Sequence, residues 1–177
     1  MNSFIESNCN FMFNQNIKCY NFDSKKESIF KENDFCGNSP IDFLFLYKND
    51  IFFMEVKDIN YFKDYFGIED SNKRGAFFDK QVCDIYAKYI DSYTILSLSN
   101  NQNITEYQNK LTKLSKVPKI ILFVVNSIKK EELLLFIEKL EKKLKKKFKN
   151  LKIDSIFVET LNNYNNELYV VRQGSVK

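Results

Sequence analysis

Residues 41–57 read Ile-Asp-Phe-Leu-Phe-Leu-Tyr-Lys-Asn-Asp-Ile-Phe-Phe-Met-Glu-Val-Lys, and the rest of the chain can be interpreted around this segment. Two apolar runs, 41–47 and 51–57, flank a short polar stretch of turn-forming residues, which predicts a β-hairpin. The apolar residues are continuous and do not alternate with polar ones, so other layers should cover both faces of each strand. We therefore expect this hairpin at the centre of a sheet.

Three polar side chains interrupt the hairpin: Asp42, Glu55 and Lys57. A two-residue loop at 49–50 would place Asp42 opposite Lys57, with Glu55 diagonal to it. A loop at 48–49 would place Asp42 directly opposite Glu55. Because side-chain direction repeats every two residues along a strand, either register puts all three side chains on one face. The sequence alone leaves both registers open.

Two carboxylates held together in a partly buried site repel each other unless a cation lies between them. Oxygen ligands on neighbouring strands suit Mg²⁺ or Mn²⁺, and a nearby lysine can stabilise developing negative charge or position an attacking water. With a phosphodiester as the electrophile, this pattern indicates metal-assisted hydrolysis. The competing interpretation is a structural ion pair between Asp42 and Lys57, with Glu55 at a strand end.

Composition narrows the possible chemistry. The 177 residues include no histidine, which excludes Ser-His-Asp and Cys-His nucleophile systems and histidine-ligated metal sites. The four cysteines stand singly, so we expect unpaired thiols and no zinc site. The net charge of +4 permits a nucleic-acid partner without arguing for one. No apolar run approaches the roughly 18 residues of a membrane span, and we expect a soluble, cytoplasmic protein.

The remaining pattern predicts an α/β fold in a single domain spanning 1–177, with a mixed β-sheet covered by helices on both faces. Helices are predicted at 2–13, 76–89 and 104–115, and after a capping Ser127. Beyond the hairpin, strands are predicted at 17–22, 93–98, 119–125, 153–159 and 168–172. A turn at 34–40 and an irregular connection at 61–75 complete the prediction.

The sequence Pro40-Ile41-Asp42, then twelve intervening residues, then Glu55-Val56-Lys57 resembles the signature of the PD-(D/E)XK nucleases, the restriction-endonuclease-like superfamily. The resemblance covers about residues 1–100 and leaves 101–177 as a C-terminal α/β extension. It departs from the family pattern at Ile41, which separates Pro40 from Asp42. The resemblance implies a restriction-endonuclease-like core and a Mg²⁺- or Mn²⁺-dependent endonuclease.

The resemblance also implies individual roles. Asp42, Glu55 and the backbone carbonyl of Val56 would bind the metal, and Lys57 would serve catalysis. Glu6 is the candidate for a further metal ligand supplied by the first helix of the family. Gln81 matches a supporting glutamine on the helix after the motif, although the family's Q-x-x-x-Y variant is not met because residue 85 is isoleucine.

The resemblance favours DNA over RNA as the substrate. Lys73, Arg74 and Lys80 are the expected contacts to the nucleic-acid backbone, whereas the lysine-rich run at 139–149 is expected to be a solvated helix face. A homodimer, or a place in a larger defence or repair complex, would fit such an enzyme. The alternative function is a catalytically inactive domain of the same fold that binds nucleic acid or assembles with proteins.

Overall fold

The computed structural model describes eight strands and three α-helices in the following residues: 3–22, 40–58, 71–98, 102–113, 117–125, 130–151, 153 and 155–173. The strands are β1 (Ser3–Glu6), β2 (Cys9–Phe13), β3 (Lys18–Asn21), β4 (Phe43–Tyr47), β5 (Asp50–Asp58), β6 (Lys119–Val125), β7 (Ile156–Thr160) and β8 (Tyr169–Gln173). The α-helices are α1 (Ser71–Leu98), α2 (Thr105–Lys113) and α3 (Lys130–Phe148).

The strands form two sheets. The larger has the order β3-β4-β5-β6-β7, antiparallel from β3 to β5 and parallel from β5 to β7. The smaller is antiparallel, with the order β1-β2-β8. The predicted α/β class and mixed sheet are therefore confirmed, and the hairpin of β4 and β5 lies at the centre of the larger sheet.

The two faces of the larger sheet are covered differently. On one face, Leu44, Phe53 and Leu122 belong to a core completed by the three α-helices. On the other face, Phe45 and Phe123 pack into a second core with residues of the smaller sheet. The prediction that helices cover both faces is therefore wrong for the described residues, because the three-stranded sheet supplies the second cover.

The central hairpin has the second of the two registers left open by the sequence. Phe43 pairs with Met54 and Tyr47 with Asp50, so the loop consists of Lys48 and Asn49. Both loop residues have positive φ, 48° and 70°, as a two-residue type I′ hairpin requires. The register with a loop at 49–50 is not formed.

The N-terminal segment is a β-hairpin, so the helix predicted at 2–13 is wrong. Ser7 and Asn8 form its turn with φ of 49° and 60°, and β1 pairs with β2 on either side. Cys9, Phe11 and Phe13 are buried, while the residues between them are more exposed. This alternation with a period of two is the sequence signal typical of a half-buried strand.

The first long helix continues beyond its predicted range at both ends. Residues 71–75 are helical, and so are 93–98, where a strand was predicted. Ile95 and Leu96 are buried in the helical core, and Ser92 donates to the carbonyl of Lys88 at 2.7 Å. Tertiary packing thus overrides the strand-like composition of this segment.

The other predicted elements correspond to observed ones. The strand at 119–125 is confirmed, and the strands predicted at 17–22, 153–159 and 168–172 overlap β3, β7 and β8. Helix α2, preceded by one 3₁₀ turn, replaces the predicted 104–115, and α3 follows β6 as expected. The positions 34–39, 61–70 and Ser127 lie outside the described residues. No helix among those described has the length and apolarity needed to cross a bilayer.

Candidate active site

Asp42, Glu55 and Lys57 lie on one face of the larger sheet, as both sequence registers predicted, and this is the helical face. Extending the observed pairing by one residue places Asp42 opposite Glu55. Asp42 is two residues from Leu44, and Glu55 is two residues from Phe53. Because side chains two residues apart point to the same face of a strand, the group shares the face on which Leu44 and Phe53 join the helical core. The group lies toward the carboxyl end of β5, where its parallel neighbour β6 also ends. Ligand sites of open α/β sheets occur at this edge.

Asp42 is buried and fixed by its backbone neighbours. Its Oδ2 accepts a hydrogen bond from the Val56 amide at 2.6 Å, which joins it to the strand that carries Glu55. Its carbonyl accepts from the Phe22 amide at 2.7 Å. The preceding Ile41 amide donates to Ser92 Oγ of α1 at 2.8 Å. The start of β4 is therefore held between a strand and a helix.

Burial and the neighbouring Glu55 carboxylate raise the pKa of Asp42 to about 8. Lys88 and the Val56 amide oppose this shift by favouring the ionised form, and Glu6 adds a smaller effect that raises the pKa. Desolvation is the largest of these effects because a charged carboxylate loses its water shell on burial. Asp42 is thus mainly protonated at neutral pH in the absence of a cation.

Glu55 is 1% exposed, and its Oε1 lies between two ammonium groups. Lys57 Nζ is 2.6 Å from Oε1, and Lys88 Nζ, reaching from α1, is 2.7 Å from the same atom. These contacts are ion pairs without hydrogen-bond alignment, since neither carboxylate oxygen of Glu55 has a hydrogen-bond partner of suitable geometry. The buried Oε2 is therefore left with unused acceptor capacity.

Lys88 is a member of the site that sequence reasoning missed. Gln81, which the sequence did single out, is 6% exposed, and its buried Oε1 has no hydrogen-bond partner. Seven residues separate Gln81 from Lys88, which is close to two helical turns and places both on one face of α1. This spacing within a predicted helix was the available signal. Ser92, one turn after Lys88, was also missed.

Of the remaining predicted residues, only Glu6 has a described interaction with this group. Glu6 ends β1 in the smaller sheet and interacts electrostatically with Asp42. Within the described residues, however, no three Asp, Glu or Cys side chains converge closely enough to hold a metal ion. Lys73 and Lys80 are exposed on α1, whereas Arg74 lines a groove between α1 and α3.

Cys9, Cys19 and Cys83 are free thiols, as expected from their isolated positions. Cys9 and Cys19 are buried in the second core, and Cys83 is exposed on α1. The fourth, Cys36, lies outside the described residues.

Comparisons of this chain with protein-family models, with curated proteins and with solved structures give no match. The functional interpretation therefore depends on the residues themselves.

Proposed function

We propose that this chain is a divalent-metal-dependent endonuclease of the PD-(D/E)XK type that hydrolyses phosphodiester bonds in the cytoplasm, acting on DNA in preference to RNA. One observation carries the proposal: Asp42 and Glu55 face each other at the carboxyl end of β5, and the buried Oε2 of Glu55 has no hydrogen-bond partner. A buried carboxylate oxygen without a partner costs free energy unless a cation or water satisfies it.

The residues present fit a hard divalent cation. Asp42, Glu55 and the carbonyl of Val56 would hold Mg²⁺ or Mn²⁺, and Glu6 is the nearby carboxylate available to assist. All of these donors are oxygen atoms, which both ions prefer, and both ions retain several waters in protein sites. Bound there, the ion would polarise the phosphoryl oxygen and lower the pKa of an attacking water.

The lysines have separable tasks in this proposal. Lys57 is on the sheet and is 17% exposed, so its ammonium group can contact a phosphate oxygen or the attacking water at the edge of the site. Lys88, which is 19% exposed, approaches Glu55 from α1, so its ammonium group lies on the helix side of the carboxylate. We therefore assign charge stabilisation to Lys57 and the positioning of Glu55 to Lys88.

A second candidate function has its own supporting observation. Glu55 is already paired with two ammonium groups, and Asp42 is held largely neutral, so the cluster needs no cation to balance its negative charge. Buried ion pairs of this kind also occur as structural features. Such a site suits a catalytically inactive domain that binds nucleic acid or assembles with other proteins.

Cleavage assays distinguish the two candidates. The full chain is incubated with supercoiled plasmid, single-stranded DNA and RNA, each with Mn²⁺, with Mg²⁺ and with EDTA. The nuclease proposal expects metal-dependent cleavage, with DNA cut faster than RNA. Double-strand breaks would need two active sites, supplied by a homodimer or a larger complex, so the mass of the active species is measured in the same preparation. Binding without cleavage in all three conditions would support the second candidate.

Replacing the two lysines should give different phenotypes. Lys57→Ala is expected to lower kcat at saturating Mn²⁺ by about 10²-fold or more, because a charge aimed at the transition state is lost. Lys88→Met is expected to tighten Mn²⁺ binding, since one positive charge beside Glu55 is removed. Single-turnover rates and Mn²⁺ titrations by calorimetry measure both. Unchanged kcat in Lys57→Ala would contradict its assignment.

Substrate contact is assigned to Lys73, Arg74 and Lys80 on α1. Reversing the two exposed charges, Lys73→Glu and Lys80→Glu, should weaken DNA binding and reduce the slope of log K against log salt by about 2, because each phosphate contact releases counterions. Fluorescence anisotropy at several salt concentrations gives this slope. Lys110→Glu with Lys149→Glu, on other elements, is the control of equal charge. A slope that falls equally in the control would place the substrate elsewhere.

A further inference from the structure

A groove runs between α1 and α3 on the helical layer. One part of the groove has a volume of about 590 Å³, and a second part, which shares two lining lysines with the first, has a volume of about 580 Å³. The first part is lined by Arg74, Gly75 and Phe78 of α1 and by lysines of α3. The second part continues along α1 to Tyr86. These residues lie outside the carboxylate site, and the proposed nuclease activity does not use the α3 side of the groove.

The rim of the groove is strongly cationic. Lys139, Lys142 and Lys146 line it and form no ion pair with any carboxylate of the described residues. Lys143 does pair, with Asp79 across the groove. Apart from Lys143, the lysines of the run are exposed, as the interpretation of a solvated helix face predicts, and three of them, which have no ion-pair partner among the described residues, also follow one side of a concave surface.

The interior of the groove is apolar. Phe78 lies at the floor but is only 4% exposed, because it packs against Phe136 with ring centroids 5.2 Å apart. The apolar surface open to an occupant is mainly that of the aliphatic stems of Arg74 and the lining lysines. At the start of α3, Leu135 is 62% exposed. It precedes Lys139 by four residues and Lys142 by seven, so helical periodicity places it on the same face of α3 as the rim lysines. Leu135 therefore adds apolar surface beside the rim that an occupant of the groove could contact.

Shape and length favour one kind of occupant. The α1 side extends from Arg74 to Tyr86, about 18 Å at 1.5 Å per residue, which is the length of roughly three helical turns. A lipid surface or a DNA duplex would meet the lysine tips and leave the recessed apolar interior uncovered. A third helix, laid along the groove, would cover that interior while its flanks meet the lysines.

We infer that this groove binds an acidic amphipathic helix of a partner protein. The apolar face of the partner would cover the aliphatic stems that line the groove and contact Leu135, and its Asp and Glu side chains would pair with Lys139, Lys142 and Lys146. Charge complementarity selects an acidic partner, and concavity selects a helix. The inference does not depend on the nuclease activity.

The probe is a fluorescent peptide of about 16 residues with Leu at i, i+3, i+4 and i+7 spacing and Glu elsewhere, together with a scrambled peptide of identical composition. We expect the amphipathic peptide to bind the full chain at least about 10-fold more tightly than the scrambled one. Lys142→Glu with Lys146→Glu should weaken binding by at least about 10-fold. Gly75→Phe, which adds a ring to the groove, should do the same.

Two controls are matched to these variants. Lys145→Glu with Lys149→Glu changes the same charge at the same i, i+4 spacing on residues that do not line the groove, and it should leave peptide binding within about twofold. Gly75→Ala adds only a Cβ, which meets no atom within 4 Å, and it should also bind normally. Circular dichroism establishes that each variant is folded.

Three results would overturn the inference. Equal binding of the scrambled and amphipathic peptides would show that charge alone is recognised. A second result is displacement of the peptide by single-stranded DNA or by phosphatidylserine vesicles. If one of them binds more tightly than the peptide, and the Lys142/Lys146 reversal weakens that binding, the groove would be assigned to that ligand. Absence of peptide binding by a folded parent chain would exclude an acidic helix.

Discussion

Glu55→Gln is expected to lose Mn²⁺-dependent cleavage to below about 1% of the parent rate, and Asp42→Ala is expected to do the same. Both substitutions remove a carboxylate that would hold the cation at the end of β5. Glu55→Gln is preferred to alanine because it keeps the side-chain volume beside Lys57 and Lys88, whereas truncation would leave an unfilled space between two half-buried ammonium groups. Plasmid and oligonucleotide cleavage rates provide the measurement.

A matched control comes from the same sheet. Glu159, on β7, is another buried carboxylate, and it accepts a hydrogen bond from the Tyr169 hydroxyl in a different part of the fold. Glu159→Gln should leave the cleavage rate within about twofold of the parent. Full activity in Glu55→Gln, or an equal loss in Glu159→Gln, would rule out the assigned site.

Asp42→Asn is expected to make the metal-free protein more stable, by an amount that depends on pH. The pKa of Asp42 rises from 3.8 in the unfolded chain to about 8 in the folded one, so the folded state retains a proton that the unfolded state releases between these values. Stability contributed by this group is therefore complete at low pH and lost as pH rises toward 8. Asparagine keeps the Val56 hydrogen bond and does not ionise.

The difference between variant and parent should grow by about 1.4 kcal/mol per pH unit and level off above pH 8, which amounts to on the order of 4 kcal/mol in the free energy of unfolding between pH 5 and pH 9. Urea unfolding in EDTA from pH 5 to pH 9 measures it. A difference that stays constant with pH would mean that Asp42 does not carry the raised pKa.

Adding Mn²⁺ to the same two proteins tests the metal. The parent should gain about 2.7 kcal/mol at roughly one hundred times the dissociation constant. Asp42→Asn should lose most of this gain because a ligand is missing. The ion pair between Asp42 and Lys57 that the sequence left open is not formed, because Lys57 pairs with Glu55. A purely structural cluster, in which Lys57 and Lys88 neutralise Glu55, predicts that neither protein responds to Mn²⁺. Asp42→Asn would still be stabilising in EDTA in that case.

The central hairpin shows how far the sequence could lead. Its two strands, and the shared face of Asp42, Glu55 and Lys57, follow from apolar patterning and the period of two. Its register did not follow, because Lys48-Asn49 and Asn49-Asp50 are both polar pairs without glycine. The choice depends on positive φ at Lys48, which is unusual for that residue type and is visible only in the folded chain.

Two errors have a common physical origin. The N-terminal hairpin was predicted as a helix, and the last turns of α1 were predicted as a strand. Both segments are short and apolar, and the deciding contacts come from elsewhere: β8 pairs with β2, and the buried residues of α1 meet the larger sheet. Local propensity is a weak guide where such long-range packing dominates.

The missed role of Lys88 has a different cause. A lysine within a helix is ordinarily a solvated residue, and nothing adjacent in sequence marks it as unusual. Lys88 Nζ lies 2.7 Å from Glu55 Oε1 because α1 packs against the larger sheet and brings this lysine to β5. Site residues that lie within one motif were accessible to sequence reasoning, whereas a partner supplied by a separate element required the structure.

Alternate side chains of β5 belong to the two cores on opposite faces of the larger sheet. The native conformation of β5 therefore depends on both cores, and the core with the smaller sheet should form later in folding. The hairpin of β1 and β2 can form locally, but it joins β8 across about 160 residues of chain. Loop-closure entropy makes such a contact slow to form relative to neighbouring pairs. The second core, with Phe45 and Phe123, should therefore consolidate after the helical one. During refolding, β5 would acquire its final rigidity only when this second core forms, although Glu55 itself faces the helical core. Regain of cleavage activity would therefore lag behind regain of helical signal.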